Sequence, residues 1–173
     1  MQLETGRLVI RPVQGEDVTP EYVAALNDED VVRYTEVRHQ RWDREKTVAY
    51  IQSAQRPDRS LLLGMFQRDT QRHIGNLLLH LQPIHRRIEL SFMLWDKRCW
   101  NAGYATEAVQ AVADACFREL GAHKLTAGYY ASHQASARVL TKVGFMIEAV
   151  LREHYMCEGQ LVDGVRVAKW RAG

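Results

Sequence analysis

No apolar run in this chain is long enough for a signal-peptide core or a membrane span, and the charged residues Glu4 and Arg7 already interrupt its first extended segment. A cytoplasmic protein is therefore expected, not a secreted or membrane-bound one. Neither charge is in excess: 23 basic and 21 acidic side chains leave a net charge of +2, too little for a protein that grips nucleic acid through a basic surface. Cysteine is scarce. Cys99, Cys116 and Cys157 are widely spaced, without a Cys-x-x-Cys pair, which argues against a disulfide framework and a zinc site. There is no His-Glu-x-x-His, and His73, His80 and His85 lack ligand spacing, so no metal is expected. Neither Gly-x-x-x-x-Gly-Lys-Ser/Thr nor Gly-x-Gly-x-x-Gly occurs, which removes support for nucleotide hydrolysis and dinucleotide binding. Repeats and low-complexity stretches are absent, and 173 residues at 46% apolar content suit one domain, residues 1–173, with a full core.

What the chain does contain is Trp100-Asn101-Ala102-Gly103-Tyr104-Ala105-Thr106-Glu107-Ala108. The preceding residues 88–95 form a nearly continuous apolar run, broken only by Glu89 and Ser91, as in a buried strand. After the turn, Ala105, Ala108, Val109, Val112, Cys116 and Leu120 recur at helical spacing up to Gly121. Strand, glycine turn and helix together make an anion cradle. The first N–H groups of a helix have no intrahelical partner and lie at the positive end of its dipole. Gly103 lets the main chain approach the anion. A diphosphate bound without a P-loop lysine points to coenzyme A.

The remaining pattern alternates strands and helices. Strands are expected over residues 8–12, 61–67, 73–81, 87–95 and 124–130, the central three forming an antiparallel meander. Helices are expected over 16–27, over 43–53 with Asp43 as N-cap, and over 135–143, stopped at Gly144. Residues 145–157 and 161–170 read as a hairpin about Glu158-Gly159. Cys116 falls on the apolar face of its helix and reads as core, and Met65, Met93 and Met146 read as core filling. Asp28-Glu29-Asp30 reads as a solvated helix end.

In this order the chain resembles the GNAT acetyltransferases, in the branch that includes the RimJ and RimL ribosomal-protein N-acetyltransferases. The resemblance runs from Leu3-Glu4-Thr5-Gly6-Arg7-Leu8-Val9-Ile10-Arg11-Pro12 through His73-Ile74-Gly75-Asn76, Glu89-Leu90-Ser91-Phe92 and Gly103-Tyr104-Ala105-Thr106-Glu107-Ala108. It closes with Ser136-Ala137-Arg138-Val139-Leu140-Thr141-Lys142-Val143-Gly144-Phe145, Gly159 and Asp163. Trp100 and Asn101 stand where the family has Arg or Gln and then a small residue, and His133 stands where Asn precedes the serine. The resemblance implies a mixed α/β (α+β) acyl-CoA N-acyltransferase fold, with a mostly antiparallel, splayed central sheet flanked by helices. It implies acetyl-CoA as acyl donor, its pantetheine lying between the strands at 88–95 and 124–130. Cofactor contacts are implied at Phe92, Met93 and Leu94, at Trp100, Asn101, Ala102, Gly103, Tyr104, Ala105 and Thr106, and at His133, Ser136 and Lys142.

A thioester is already activated, so direct attack by an amine leaves three tasks: taking a proton from the amine, steadying the oxyanion and protonating the thiolate. Glu89, a carboxylate in an apolar strand, is the candidate base. Alternatively it points outward and pairs with a neighbour such as Arg87. Ser136 is the candidate thiolate donor, or a first-turn helix hydroxyl; Tyr130 and Tyr155 are alternative acids. The oxyanion donor is expected among backbone N–H groups near Phe92 or Met93. His133 is either a cofactor contact, a base or a solvent-exposed helix start.

For the acceptor, Arg33, Tyr34, Arg38, His39, Arg41, Trp42 and Arg44 form a basic, aromatic-bearing segment. Tyr34, Arg38 and Trp42, with Glu89, are the candidate substrate contacts. Guanidinium forks suit phosphate or carboxylate, which favours an acceptor such as a nucleotide-linked amino sugar; the other main option is a protein N-terminal amine. A plain solvated loop is the alternative. The expected protein is thus an acetyl-CoA-dependent N-acetyltransferase acting on a small-molecule or peptide amine, with no nucleic-acid or membrane partner and with a homodimer left open. A non-catalytic acyl-CoA-binding module is the reading from another class.

Overall fold

In the computed structural model, which describes residues 1–171, one mixed sheet of eight strands carries the molecule. The strands are β1 (Leu3–Glu4), β2 (Leu8–Pro12), β3 (Ser60–Gln67), β4 (His73–Gln82), β5 (Arg87–Leu94), β6 (Lys124–Tyr130), β7 (Met146–Cys157) and β8 (Gln160–Trp170). The helices are α1 (Pro20–Leu26), α2 (Glu29–Val32), α3 (Arg44–Ala54), α4 (Tyr104–Arg118) and α5 (Gln134–Val143). Spatial order is β1-β2-β3-β4-β5-β6-β8-β7, antiparallel throughout except for the parallel pair β5 and β6.

That parallel pair positions the site. Its ladder covers only Arg87, Glu89 and the residue between them, opposite Lys124 to Thr126. Beyond it, residues 90–94 pair only with β4 and residues 127–130 only with β8, so two facing strand edges diverge with unpaired backbone groups between them.

Each sheet face is covered. Leu8, Ile10, Leu63, Ile88 and Leu90 pack with Val109, Val112 and Cys116 of α4 and Leu140 of α5. On the other face Leu62 and Trp95 pack with Tyr22 and Leu26 of α1 and Ile51 of α3. Asp43 caps α3 by accepting from the Lys46 N–H at 2.8 Å, as expected. The β7–β8 turn is Glu158-Gly159, both at positive φ (52° and 77°), the twist that a two-residue hairpin requires.

Four expectations need correction. The helix expected over 16–27 is a single 3-10 turn, Gly15–Asp17, followed by a separate α1. Pro20 cannot continue a helix but starts one well, and Thr19 caps it. Asp28-Glu29-Asp30 does not end a helix but begins α2, with Asp28 as N-cap. Arg7 lies in the turn before β2, not inside a strand. Met146 is no core filler: it is 61% exposed on the sheet's terminal strand.

Candidate active site

The splay opens a cleft of about 1140 Å³ that runs from the start of α4, through the gap between β5 and β6, to the sheet face under α1 and α3. At its mouth, Asn101 (φ 59°) and Gly103 (φ 84°) turn the chain so that α4 points its first turn at the cleft. None of the main-chain N–H groups of residues 101–106 has a protein acceptor among the described residues. The turn is held from behind. Glu107 in the first turn of α4 accepts from the Thr5 hydroxyl at 2.6 Å, the Arg7 N–H at 2.9 Å and Arg7 Nε at 2.7 Å. Arg7 Nη1 also donates to the Ala102 carbonyl at 2.9 Å. Tyr104 points away from the cleft, its ring under Arg7 and its hydroxyl bonded to Gln67. Thr5, Arg7 and Glu107 therefore fix the loop by its carbonyl side and leave its donors free.

The middle of the cleft holds a chain of polar and aromatic groups. Ser136 Oγ lies 2.9 Å from His133 Nδ1 at the start of α5. The His133 ring stacks on Tyr34 (centroids 4.3 Å apart, planes 18° apart), and burial pulls its pKa down to about 4, so it is neutral at pH 7. Tyr34 packs beside Tyr130, which stacks on Tyr155 at 4.0 Å. Tyr130 donates its hydroxyl proton to Glu36 at 2.8 Å; burial, then Glu36, push its pKa up to about 12. Tyr155 reaches this stack because β7 bulges before it. The Glu153 N–H bonds to Asp163 Oδ1 at 2.8 Å, and opposite it any Cβ on Gly164 would stand 2.9 Å from the Tyr155 ring.

Of the residues anticipated from sequence, Phe92, Met93, Leu94, Trp100, Asn101, Gly103, Ala105, Thr106, His133, Ser136 and Lys142 all line the cleft, as do Tyr34 and Tyr155. Five do not. Ala102 and Tyr104 are not among the lining residues, though their main-chain amides have no protein acceptor among the described residues. Glu89 lies at the root of the splay, where Arg166 Nη1 donates to it at 2.6 Å. The carboxylate is thus paired with a neighbour, with Arg166 in place of Arg87. Trp42 is 5% exposed, packed edge-on against Tyr50, with Nε1 donating to the Val37 carbonyl; it is core, not a stacking platform. Arg38 spends its donors on the carbonyls of Arg33 (2.5 Å) and Met156 (2.8 Å), bolting the 3-10 turn Glu36–His39 onto β7.

His133 is half-buried, not an exposed helix start. Glu36 went unnoticed in the sequence, where a lone acid among arginines carries no periodic signal; only the turn that lifts it against Tyr130 reveals it. The three cysteines are free and buried, and none lines the cleft.

A sheet split between a parallel pair, with a glycine turn presenting free amides to the split, is the architecture of an acyl-CoA-using transferase. The chain belongs to the GNAT acetyltransferases: residues 7–146 match the Acetyltransferase (GNAT) domain. It is an N-acetyltransferase, of a family that uses acetyl-CoA. The uncharacterized N-acetyltransferase YoaA of Bacillus subtilis (strain 168) is 31% identical over 165 residues, 93% of this chain and 92% of the relative. Among solved structures, the RimL ribosomal L7/L12 alpha-N-protein acetyltransferase in complex with coenzyme A superposes with a TM-score of 0.88 over 98% of both chains at 15% identity. The spermidine N-acetyltransferase from Vibrio cholerae in complex with CoA and spermine superposes with a TM-score of 0.84 over 96% of both chains at 16% identity. At these identities the two superpositions speak for the fold alone.

Proposed function

We propose that the protein transfers an acetyl group from acetyl-CoA directly to a primary amine, with no acyl-enzyme. The observation that carries this reading is the breach beyond Glu89 and Thr126, which leads from the free amides of residues 101–106 to an aromatic-walled acceptor side. The absence of a cysteine from the cleft lining supports direct transfer over a covalent relay. Acetyl-CoA supplies a thioester whose carbonyl carbon forms the C–N bond as its C–S bond breaks, giving the acetamide and the coenzyme thiol.

The chain's own residues divide the work. The amides after Asn101 bind the pyrophosphate. The open edge of β5 near Phe92 and Met93 holds the pantetheine as an added strand would be held, and offers an N–H to the carbonyl oxygen. Ser136, steadied by His133, offers its hydroxyl to the departing sulfur, with Tyr155 as the alternative donor. Tyr130 is poorly suited to that task because its proton is already directed at Glu36.

The acceptor is a small-molecule amine or a peptide N-terminus. Support for a phosphate- or carboxylate-bearing acceptor, such as a nucleotide-linked amino sugar, weakens once Arg38 and Trp42 are seen committed to the fold and Arg33 paired with Asp30 and Glu158. An α-amine, with an unperturbed pKa near ~7.8, offers far more neutral nucleophile at pH 7 than a lysine near ~10.4. A cytoplasmic setting fits three unpaired, buried cysteines. The test is a screen of amines and peptides with mass detection of the acetylated product and thiol release from acetyl-CoA. Thiol release that depends on added amine is expected. Tight coenzyme binding with no transfer across polyamines, amino acids, amino sugars and peptides would assign the chain to a binding module instead.

A further inference from the structure

Among the described residues, Glu36 is the one acid lining the cleft that is not taken up by a lysine or arginine. Asp30, which also lines the cleft, is held by Lys97 and Arg33, and Arg33 by Glu158 in turn. Glu36 receives the Tyr130 hydroxyl at 2.8 Å and has His39 Nε2 at 3.4 Å. A carboxylate offers about four acceptor sites, so positions remain for a donor arriving through the cleft. Arg38 stands 5.3 Å from the Tyr130 ring but gives its donors to backbone carbonyls, so it braces this wall without closing an ion pair on Glu36. Beside the buried Tyr130 that holds the carboxylate, the half-buried Tyr34 and Tyr155 present aromatic surface, and π faces attract cations. The same contacts connect this corner, through Tyr34 and His133, to Ser136, where the thiol leaves.

We propose that Glu36, with Tyr34, Tyr130 and Tyr155, docks the acceptor in its ammonium form, so that the enzyme selects cationic primary amines. This rests on the acetyl-transfer reading above. The docked ammonium gives one proton to water before its nitrogen attacks, and a second passes to the departing sulfur. One proton is released for each acetamide and thiol formed from an ammonium and a thioester. Glu36 is thus a selecting residue whose removal weakens binding of charged acceptors and spares neutral ones.

Two probes of similar shape separate charge from fit: phenethylamine, cationic at pH 7.5, and 2-phenylethanol, neutral there. Their binding to the coenzyme-A-loaded protein is measured by calorimetry, which does not require turnover. The Glu36 side chain is 72% exposed, so Glu36→Gln is expected to raise the Kd of phenethylammonium about three- to fivefold, the worth of a solvent-screened charge contact, and to leave that of 2-phenylethanol within about 1.5-fold. Tyr130→Phe, which keeps the carboxylate but frees it to turn, should produce a smaller loss with the same selectivity. Equal effects on both probes, no effect on either, or a wild-type protein that does not prefer phenethylammonium would overturn the proposal. Amine-dependent thiol release in the same preparations keeps the two readings apart: it can persist while Glu36 proves irrelevant.

Discussion

Glu89 and Ser136 make opposite predictions although both sit close to the gap between β5 and β6. Glu89 is a partly exposed carboxylate bound to an equally exposed guanidinium of Arg166. Exposed pairs of this kind contribute less than about 1 kcal/mol, so Glu89→Gln should cost little stability and leave kcat/KM within about twofold. Ser136 is 8% exposed, and among the described residues its hydroxyl has His133 as its one side-chain partner. If it donates to the leaving sulfur, Ser136→Ala removes an interaction made in the transition state and should lower kcat about 10- to 100-fold while the KM for acetyl-CoA changes little. Steady-state kinetics on the two variants decide the matter. A large loss in Glu89→Gln, steepest at low pH, would restore that residue as the base. The choice was not legible in the sequence, because alternation along a strand cannot show a partner such as Arg166, which is 77 residues away. Trp42 failed for a related reason: an aromatic in a basic segment reads as a platform until its indole N–H is found bonded to Val37 inside the core.

In the proposed function, coenzyme binding depends on the turn into α4. A Cβ on Gly103 would meet nothing nearer than Arg7 Nη2 at 3.4 Å, so crowding is not the obstacle to substitution there. The obstacle is φ of +84°, which a β-branched residue adopts only under strain of order ~1–3 kcal/mol. Gly103→Val should therefore rotate the free amides out of line and raise the Kd for coenzyme A about tenfold. Arg7→Ala, which releases the Ala102 carbonyl, should act in the same direction without touching the ligand. Unchanged affinity in both variants would remove the cradle. This element was largely legible: an apolar strand, a glycine and a 3.6-residue apolar period define strand, turn and helix with little help from the rest of the chain. The clamp behind it was legible only as motif. Thr5, Arg7 and Glu107 belong to segments that resemble the family, but their contact spans about a hundred residues and has no local signature. The acceptor wall was least legible, since α2 and the turn at Glu36–His39 are too short to show a period.

Across the whole molecule, buried histidines and paired carboxylates set a pH dependence that runs in one direction. Burial holds the pKa of His133 down at about 4 and also lowers that of His73, against an unfolded value near ~6.5. Between those values the unfolded chain binds protons that the folded protein refuses, so stability falls as pH drops below about 6.5. Asp17, Asp96 and Glu107 add a second loss at lower pH. Burial pushes each upward, but bonds to Asp17 from Arg11, to Asp96 from Arg98 and Arg72, and to Glu107 from Thr5 and Arg7 outweigh it and leave all three pKa values lowered. A lowered carboxylate contributes stability that is present above its unfolded value near ~4 and is lost as pH falls through its folded one. Urea unfolding should therefore show a lower midpoint at pH 5.5 than at pH 7.5, with His133 alone responsible for about 1 kcal/mol. His133→Asn should remove its share of that part of the profile while leaving the share of His73 and the steeper loss below pH 4, because asparagine cannot titrate and the carboxylates are untouched. A midpoint that holds or rises between pH 7.5 and 5.5 would mean that the His133 ring is not buried against Tyr34, and the stack linking Ser136 to the acceptor wall would fall with it.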